Sequence, residues 1–153
     1  MDANIGSNSY DGLTSEVSGS NGPWKSITYA ATQAVSGDTI NIAAGLYKDY
    51  ETFPISYSAS TEIIGAGKDL TTVEGNNSCT IFQLSADSSV SSLSIQGFSG
   101  SANYCGIYIS GNHVNISDAR ILGGGFAASK GTPIYFDGAN GTDTGGKVTN
   151  CEV

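Results

Sequence analysis

The chain has 153 residues, which is enough for one domain with a sizeable core, and its formal net charge is −8. Its 6 Lys and Arg residues form no cluster, which argues against nucleic-acid partners and against anionic membrane surfaces. No apolar stretch approaches the length of a membrane-spanning helix, so we expect no membrane insertion.

The N-terminal region contains one helix pattern. Residues 1–22 are rich in Asn, Ser, Gly and Asp and predict an irregular arm. In residues 23–37, Ser26 is suited to be the N-cap of a helix and Gly37 to be its C′ residue. That helix has a single apolar stripe, which must cover another part of the fold together with Trp24. The stripe consists of positions 27, 30, 31, 34 and 35.

The chain then changes from a helix pattern to a series of short strand patterns. Alternation of apolar and polar residues, broken by turn residues, indicates strands that follow one another without a second helix. The predicted strands are 38–42, 45–47, a short piece from 55, 61–65 and 71–75.

Residues 79–123 contain one unit twice, with an offset of 26 residues (105 − 79 and 116 − 90). A third copy with longer loops follows. Self-similarity at this period predicts an all-β solenoid, a parallel β-helix that occupies residues 38–153 of a single domain and is capped by the helix. The aligned runs are 79–84 with 105–110 and 90–97 with 116–123, and the third copy is 132–136 and 148–153.

The third copy stops at Val153, one step before the glycine that closes the earlier copies at 97 and 123. Natural solenoids end in a polar cap. We therefore expect further coils beyond this point, and an edge that would contact those coils or another chain end to end.

Five segments share the pattern of a known superfamily: PWKSI at 23–27, GDTINI at 37–42, GLYKD at 45–49, IIGAG at 63–67 and TVEG at 72–75. They resemble the N-terminal cap and first coils of the pectin-lyase-like right-handed parallel β-helix superfamily. That resemblance implies a right-handed solenoid. The superfamily includes pectin methylesterases, polysaccharide lyases and surface fibres, so the resemblance is specific for fold and not for function.

The GLYKD segment also resembles the first pectin methylesterase motif, with Asp49 where that family usually has Glu. The Asp-Phe-Ile-Phe-Gly motif, which carries a catalytic aspartate of those esterases, is absent from this chain. No catalytic residue is therefore carried over, and we expect no cofactor.

Stacked coils turn aligned positions into columns, and strand parity assigns each column to a face. We expect Ile81, Ile107 and Ile134 to form one inward column. A second column of the same parity consists of Gln83, Ile109 and Phe136. The opposite parity places Phe82, Tyr108 and Tyr135 outside, as a stack of aromatic rings suited to binding sugars. The alternative is that these rings lie under a loop or inside the core.

Cys79 and Cys105 are one repeat apart. Neighbouring strands lie about 4.8 Å apart, which is compatible with a disulfide. A ladder of small buried thiols explains the same spacing.

His113 aligns with Asp87 one repeat earlier. A histidine beside a carboxylate can serve acid–base chemistry, and the alternative is a solvated pair of turn residues.

Asp137, Asn140 and Asp143 lie in a glycine-rich loop, and their oxygens make a weak calcium candidate. The loop lacks a closing bidentate Glu, so a plain turn is the alternative. Asn76, Asn115 and Asn140 each begin an Asn-x-Ser/Thr sequon, and we place Asn115 in a strand.

These patterns support three hypotheses. The first is a non-catalytic structural or carbohydrate-binding module of a secreted or cell-surface protein, with polysaccharide as partner. The second is the N-terminal portion of a polysaccharide-active lyase, hydrolase or esterase whose active site lies outside this chain. The third is a fibre or assembly subunit.

Overall fold

A computed structural model describes residues 1–58, 60–77, 79–98, 104–123, 132–137 and 145–153. Within these ranges, one helix is followed by thirteen strands. They are α1 (Ile27–Gln33), β1 (Thr39–Ile42), β2 (Gly45–Tyr47), β3 (Ile55–Ser56), β4 (Glu62–Gly65), β5 (Thr71–Glu74), β6 (Phe82–Leu84), β7 (Ser89–Ser91), β8 (Ser94–Gln96), β9 (Cys105–Ile109), β10 (Asn115–Ser117), β11 (Arg120–Leu122), β12 (Thr132–Phe136) and β13 (Lys147–Thr149).

The strands form three parallel sheets. The first sheet has the order β1-β4-β7-β10-β13, the second β2-β5-β8-β11 and the third β3-β6-β9-β12. The chain visits the three sheets in the same sequence in each coil, so strands three apart in number are hydrogen-bonded neighbours. The predicted mostly-β parallel solenoid with one short helix is confirmed.

The core consists of inward-facing side chains stacked from coil to coil. In the first sheet, Ile40, Ile63, Val90 and Ile116 lie opposite one another in register. All four are buried, and the last three are completely inaccessible to solvent. Each fully buried aliphatic side chain contributes about 1.5–3 kcal/mol, so such columns hold the coils together.

Helix α1 caps the first coil by packing against β3. The Ser26 side chain accepts a hydrogen bond from the Tyr29 N–H (3.0 Å), which confirms the predicted N-cap. The predicted end at Gly37 is wrong, because Ala34 already has an extended backbone and α1 ends at Gln33. Val35, the last residue of the predicted stripe, is consequently 64% exposed.

The N-terminal arm lies against the edge of the first sheet. The Met1 amino group donates to Asn41 O (2.6 Å), and Ala43 N–H donates to Met1 O (2.9 Å). The Trp24 indole N–H donates to Tyr10 O (2.8 Å), which ties the arm to the start of the capping region. The arm thus occupies part of the otherwise unpaired edge of β1.

Two corners of the solenoid use residues in the left-handed region. Glycine, asparagine and aspartate reach this region at the lowest steric cost, and polar residues occupy it here in successive coils. The first corner has Ser60, Asp87 and His113 at φ 57 to 60°, and the second has Ser92, Asp118 and Asn150 at φ 51 to 58°.

Within residues 79–123, one of the three strand pairs departs from the 26-residue offset. β6 pairs with β9 so that Phe82 lies opposite Ile107, an offset of 25 (107 − 82). β7 pairs with β10 at the expected offset of 26 (115 − 89). The turn from β9 to β10 is therefore one residue longer than the turn from β6 to β7. The longer turn contains Gly111, whose backbone passes very close to that of Ala86. A Cβ at this position would lie only 2.1 Å from Ala86 N, so a residue with a side chain would not fit.

This shift overturns the predicted faces of β6. Ile81 does not lie opposite Ile107, and Phe82, predicted to be outside, is completely buried. Gln83, predicted to be inside, lies on the outer face with half-buried exposure. A slip of one residue exchanges the two faces of a strand. Between β9 and β12 the predicted pairing of Ile107 with Ile134 is confirmed, but Phe136, predicted to be inside opposite Ile109, is 47% exposed.

The three cysteines are free, so the disulfide alternative is wrong. Cys79 and Cys105 are both buried, as expected of structural thiols. They are not level with each other, since the Cys105 N–H donates to Thr80 Oγ1 (3.4 Å). Burial raises the pKa of the Cys105 thiol, which keeps it protonated.

An ion-pair network joins three distant parts of the chain on the outside of the second sheet. Glu152 accepts from Lys68 and, at 2.7 Å, from Arg120 Nε, and Arg120 Nη1 contacts Asp69 at 2.6 Å. Hydrogen bonds from Arg120 and then Lys68 lower the pKa of Glu152 to about 2. The network therefore connects the end of the chain to earlier coils while Glu152 is ionised.

The Gly111→Ala substitution should lower the free energy of unfolding by about 1–3 kcal/mol, because the new methyl group would overlap the Ala86 backbone. Urea denaturation measures the change. Gly123→Ala is the matched control, since a Cβ there meets nothing within 4 Å. Equal stability of the two variants would contradict the assigned register.

The stabilisation from Glu152 should depend on pH. A carboxyl group whose pKa is lowered by folding stabilises the fold above its unfolded pKa of 4.5 and loses that effect as the pH falls toward about 2. The urea midpoint of the wild type should thus exceed that of Glu152→Gln at pH 6, and the two midpoints should converge near pH 2. Glu16→Gln, at an exposed position of the arm, is the control. A pH-independent difference would show that the ion pairs are not its source.

Candidate functional site

The outer face of the third sheet carries a pair of stacked tyrosines. Tyr108 of β9 lies opposite Tyr135 of β12, with ring centroids 5.6 Å apart and an angle of 14° between the rings. Gln83 of β6 is the next residue in this column. Two members of the predicted aromatic column are thus brought together, while Phe82 points into the core.

Asp137 fixes the orientation of Tyr108. The Tyr108 hydroxyl donates a hydrogen bond to Asp137 Oδ2, immediately after β12. This hydrogen bond, with some desolvation, raises the pKa of Tyr108 to about 12. The phenol is therefore neutral and donating throughout the physiological range.

A groove of about 430 Å³ runs beside this column. Its volume falls within the range of small-ligand sites. The segments that precede β3, β6 and β9 form one wall, and outward side chains of β6 and β9 form the other. The lining residues are Phe53, Pro54, Cys79, Thr80, Gln83, Tyr104 and Tyr108.

The two tyrosines contribute differently to this groove. Rings that are nearly parallel at 5.6 Å between centroids form an offset stack, so each ring covers part of one face of the other. Tyr108 lines the groove and Tyr135 does not. Tyr135 is 48% exposed and supports the far side of the Tyr108 ring. The stack is therefore not the flat ladder of exposed rings that the sequence predicts.

The groove combines aromatic ends with a polar centre. In the strand order β3-β6-β9, Phe53 belongs to the β3 end of the groove, and Tyr104 and Tyr108 belong to the β9 end. Between them, Gln83 is only half buried, and its amide makes no hydrogen bond to another described residue. A neutral amide offers both donors and an acceptor to a ligand.

Of the groove residues that the sequence does not predict, the aromatic and amide side chains are those of Phe53, Gln83 and Tyr104. Phe53 and Tyr104 lie in the turns that precede β3 and β9, where no repeat pattern marks them. Gln83 was assigned to the wrong face. Only the register of β6 against β9, which places it opposite Tyr108, identifies it.

The His113–Asp87 pair is confirmed as a contact between neighbouring coils. His113 Nδ1 lies 3.3 Å from Asp87 Oδ1, and the side chains are 57% and 58% exposed. Both residues occupy the corner with positive φ. This geometry matches the solvated turn pair.

The calcium candidate is only partly represented. Asp137 binds Tyr108, while Asn140 and Asp143 lie outside the described residues. In the part of the chain that the structure describes, no three His, Cys, Asp or Glu residues are grouped so that they could hold a metal ion.

Two of the three sequons fall on described residues. Asn115 lies in β10, as predicted, and its side chain is exposed. Asn76 is exposed after β5. Asn140 lies outside the described ranges.

A second, wider cleft of about 630 Å³ lies between the N-terminal arm and the edge of the first sheet. Leu13, Thr14 and Trp24 line the arm side, and Thr39 and Asn41 line the β1 side. Its chemistry is mixed, and it lies apart from the tyrosine pair.

Among the helices of the described ranges, none has the length and apolar character required to cross a membrane.

Comparison with known proteins places this fold in a family. Residues 5–122 match the family described as "Protein of unknown function (DUF1565)". Neither the curated proteins nor the solved structures include a match to the chain. Because the matched region covers more than half of the 153 residues and includes α1 and strands β1 to β11, the chain belongs to the DUF1565 family.

Proposed function

We propose that this chain is a non-catalytic carbohydrate-binding β-solenoid module of a secreted or cell-surface protein. The observation that carries the proposal is the groove beside Tyr108, in which aromatic side chains flank the free amide of Gln83. Sugar rings have apolar faces and polar rims, so they require stacking surfaces and hydrogen-bonding groups together.

Rigid support of the site favours this proposal. Tyr108 lies on β9 between two hydrogen-bonded neighbours, β6 and β12. Tyr135 packs against one face of its ring, and Asp137 accepts from its hydroxyl. A ring held in this way loses little conformational entropy when a ligand stacks on it.

The resemblance of the cap and first coils to the pectin-lyase-like superfamily supports a polysaccharide partner by analogy of fold. It supports a polysaccharide-active enzyme equally, but the Asp-Phe-Ile-Phe-Gly motif of its esterases is not found in the sequence. Carbohydrate binding requires only the groove, whereas an enzyme would also require catalytic residues. The binding module is therefore the simpler proposal.

Tyr108→Ala should weaken glycan binding about tenfold, because the loss of one stacking contact costs about 0.5–1.5 kcal/mol in addition to the buried area. Tyr135→Ala should weaken it only a few-fold, since Tyr135 acts by supporting Tyr108. Glycan-array screening followed by titration calorimetry measures both effects.

Tyr50→Ala is the matched control, because Tyr50 is 63% exposed beneath Lys25 and does not line the groove. Glycan binding that is unchanged in Tyr108→Ala would show that the binding site lies elsewhere on the protein. Absence of binding to every glycan would remove the proposed function, and depolymerisation of a polysaccharide would establish an enzyme instead.

A further inference from the structure

We propose that the cleft between the N-terminal arm and β1 binds an extended segment of another polypeptide chain, which adds one parallel strand to the first sheet. This site lies apart from the groove beside Tyr108 and goes beyond carbohydrate binding. The inference follows from the unpaired backbone groups of β1, from the open end of an apolar core column and from the charges around the cleft.

The backbone of β1 presents hydrogen-bonding groups to this cleft. Glu62 N–H donates to Asp38 O (3.0 Å), and Thr39 lies opposite Glu62 in the parallel register. Ile40 therefore directs its N–H and C=O toward β4, while Thr39 and Asn41 direct theirs to the free edge of the sheet. Thr39 and Asn41 both line the cleft.

The arm satisfies only part of this edge. Asn41 O accepts from the Met1 amino group (2.6 Å), and Met1 O accepts from Ala43 N–H (2.9 Å), which is the pattern of a parallel bridge. Among the described residues, none donates to Thr39 O or accepts from the N–H groups of Thr39 and Asn41. Donors and an acceptor at two-residue spacing match the backbone of an extended peptide, as in recognition by strand addition.

An apolar core column also ends at this cleft. Ile40 is the first member of the inward column that continues with Ile63, Val90 and Ile116. Ile40 is 7% exposed, whereas the other three are fully buried, and it lines the cleft with Trp24. Opposite residues of neighbouring strands point to the same face of the sheet. The peptide residue opposite Ile40 therefore extends this column, which favours Val or Ile at that position.

The cleft has room for such a strand. Its volume of about 630 Å³ lies within the range of ligand sites. The four residues of β1 span about 13 Å at about 3.3 Å per residue, so the edge can pair with a peptide of similar length. Leu13 and Thr14 of the arm form the opposite wall, and Leu13 is 82% exposed. Leu13 therefore offers an apolar contact to the peptide side chains.

Acidic side chains lie around the cleft. Asp2 lines it, Asp38 immediately precedes β1, and the Glu62 carboxylate accepts from Thr39 Oγ1 (3.2 Å). The Met1 amino group also lines the cleft and already donates to the β1 backbone. The net charge of −8 adds a general attraction for cationic ligands. The matching segment is therefore basic, with Val or Ile alternating with polar residues between Lys or Arg.

The probe is the peptide acetyl-Lys-Thr-Ile-Thr-Ile-Thr-Lys-amide, titrated into the full chain while the amide NMR signals are recorded. The Thr39 and Asn41 N–H signals should shift and gain protection from hydrogen exchange, because both groups acquire acceptors. In a parallel strand, the Ile residues of the peptide direct their N–H groups toward β1. N-methylation of both Ile residues should thus weaken binding at least about tenfold, and N-methylation of the Thr residues should have little effect.

Substitutions in the protein test the same contacts. Thr39→Pro removes a donor from the free edge without removing a hydrogen bond to β4, and should weaken peptide binding at least about tenfold. Thr39→Val, which loses the same hydroxyl group but keeps the N–H, is its control. Leu13→Ala should weaken binding a few-fold, whereas Leu70→Ala, at a 58% exposed leucine outside the cleft, should not.

The charge of the peptide provides a further comparison. Exchange of both peptide Lys residues for Glu should weaken binding several-fold, and added salt should reduce the difference. Circular dichroism should show that each protein variant keeps the β fold. If Thr39→Pro does not fold, the N-methylated peptides test the inference on the unchanged protein.

The outcomes separate this inference from the proposed carbohydrate binding, because Tyr108→Ala should leave peptide binding unchanged. Absence of peptide binding, or binding that survives N-methylation of either residue type, would overturn strand addition and leave the Tyr108 groove as it is. Loss of binding only on N-methylation of the Thr residues would contradict the parallel direction alone.

Two other occupants of the cleft give different results. Dimerisation that is abolished in Thr39→Pro, without peptide binding, would assign the edge to a second copy of this chain and overturn the inference. Glycan binding that is lost in Thr39→Pro and kept in Tyr108→Ala would assign the cleft to a sugar, and would overturn both the inference and the proposed groove.

Discussion

In-register stacking of parallel strands is the constraint on which the molecule depends. Each sheet joins equivalent strands of successive coils, so that residues about one repeat apart in sequence become neighbours in space. Inward columns such as Ile40, Ile63, Val90 and Ile116 supply the hydrophobic stabilisation, and outward columns create the surface chemistry. The tyrosine pair, the Asp87–His113 contact and the ion pairs of Glu152 all exist because of this stacking.

A cap helix, the N-terminal arm and corner residues with positive φ form the ends and corners of the solenoid. Helix α1 covers the first coil, and the arm bonds to the edge of β1, which limits the unpaired backbone that sheets expose. Polar residues with positive φ occupy two corners of each coil, between the strands of neighbouring sheets. The groove is consequently formed where turns precede the strands of the third sheet, with rigid strands on one side and loops on the other.

The candidate site illustrates how support and contact are divided between residues. Tyr135 packs against the Tyr108 ring and Asp137 accepts a hydrogen bond from its hydroxyl, while Tyr108 itself lines the groove. Such an arrangement favours a defined ligand position over an extended aromatic platform.

The sequence by itself determined the solenoid, the N-cap at Ser26 and the approximate strands, because hydrophobic alternation and a repeat of fixed length are local signals. It also predicted the Tyr108–Tyr135 neighbours. Only the tertiary structure decided the face of Phe82, the contribution of Gln83 and the inclusion of Phe53 and Tyr104. The reason is physical: the extra residue at Gly111 changes the register of one strand pair, and a single-residue slip exchanges the two faces of β6.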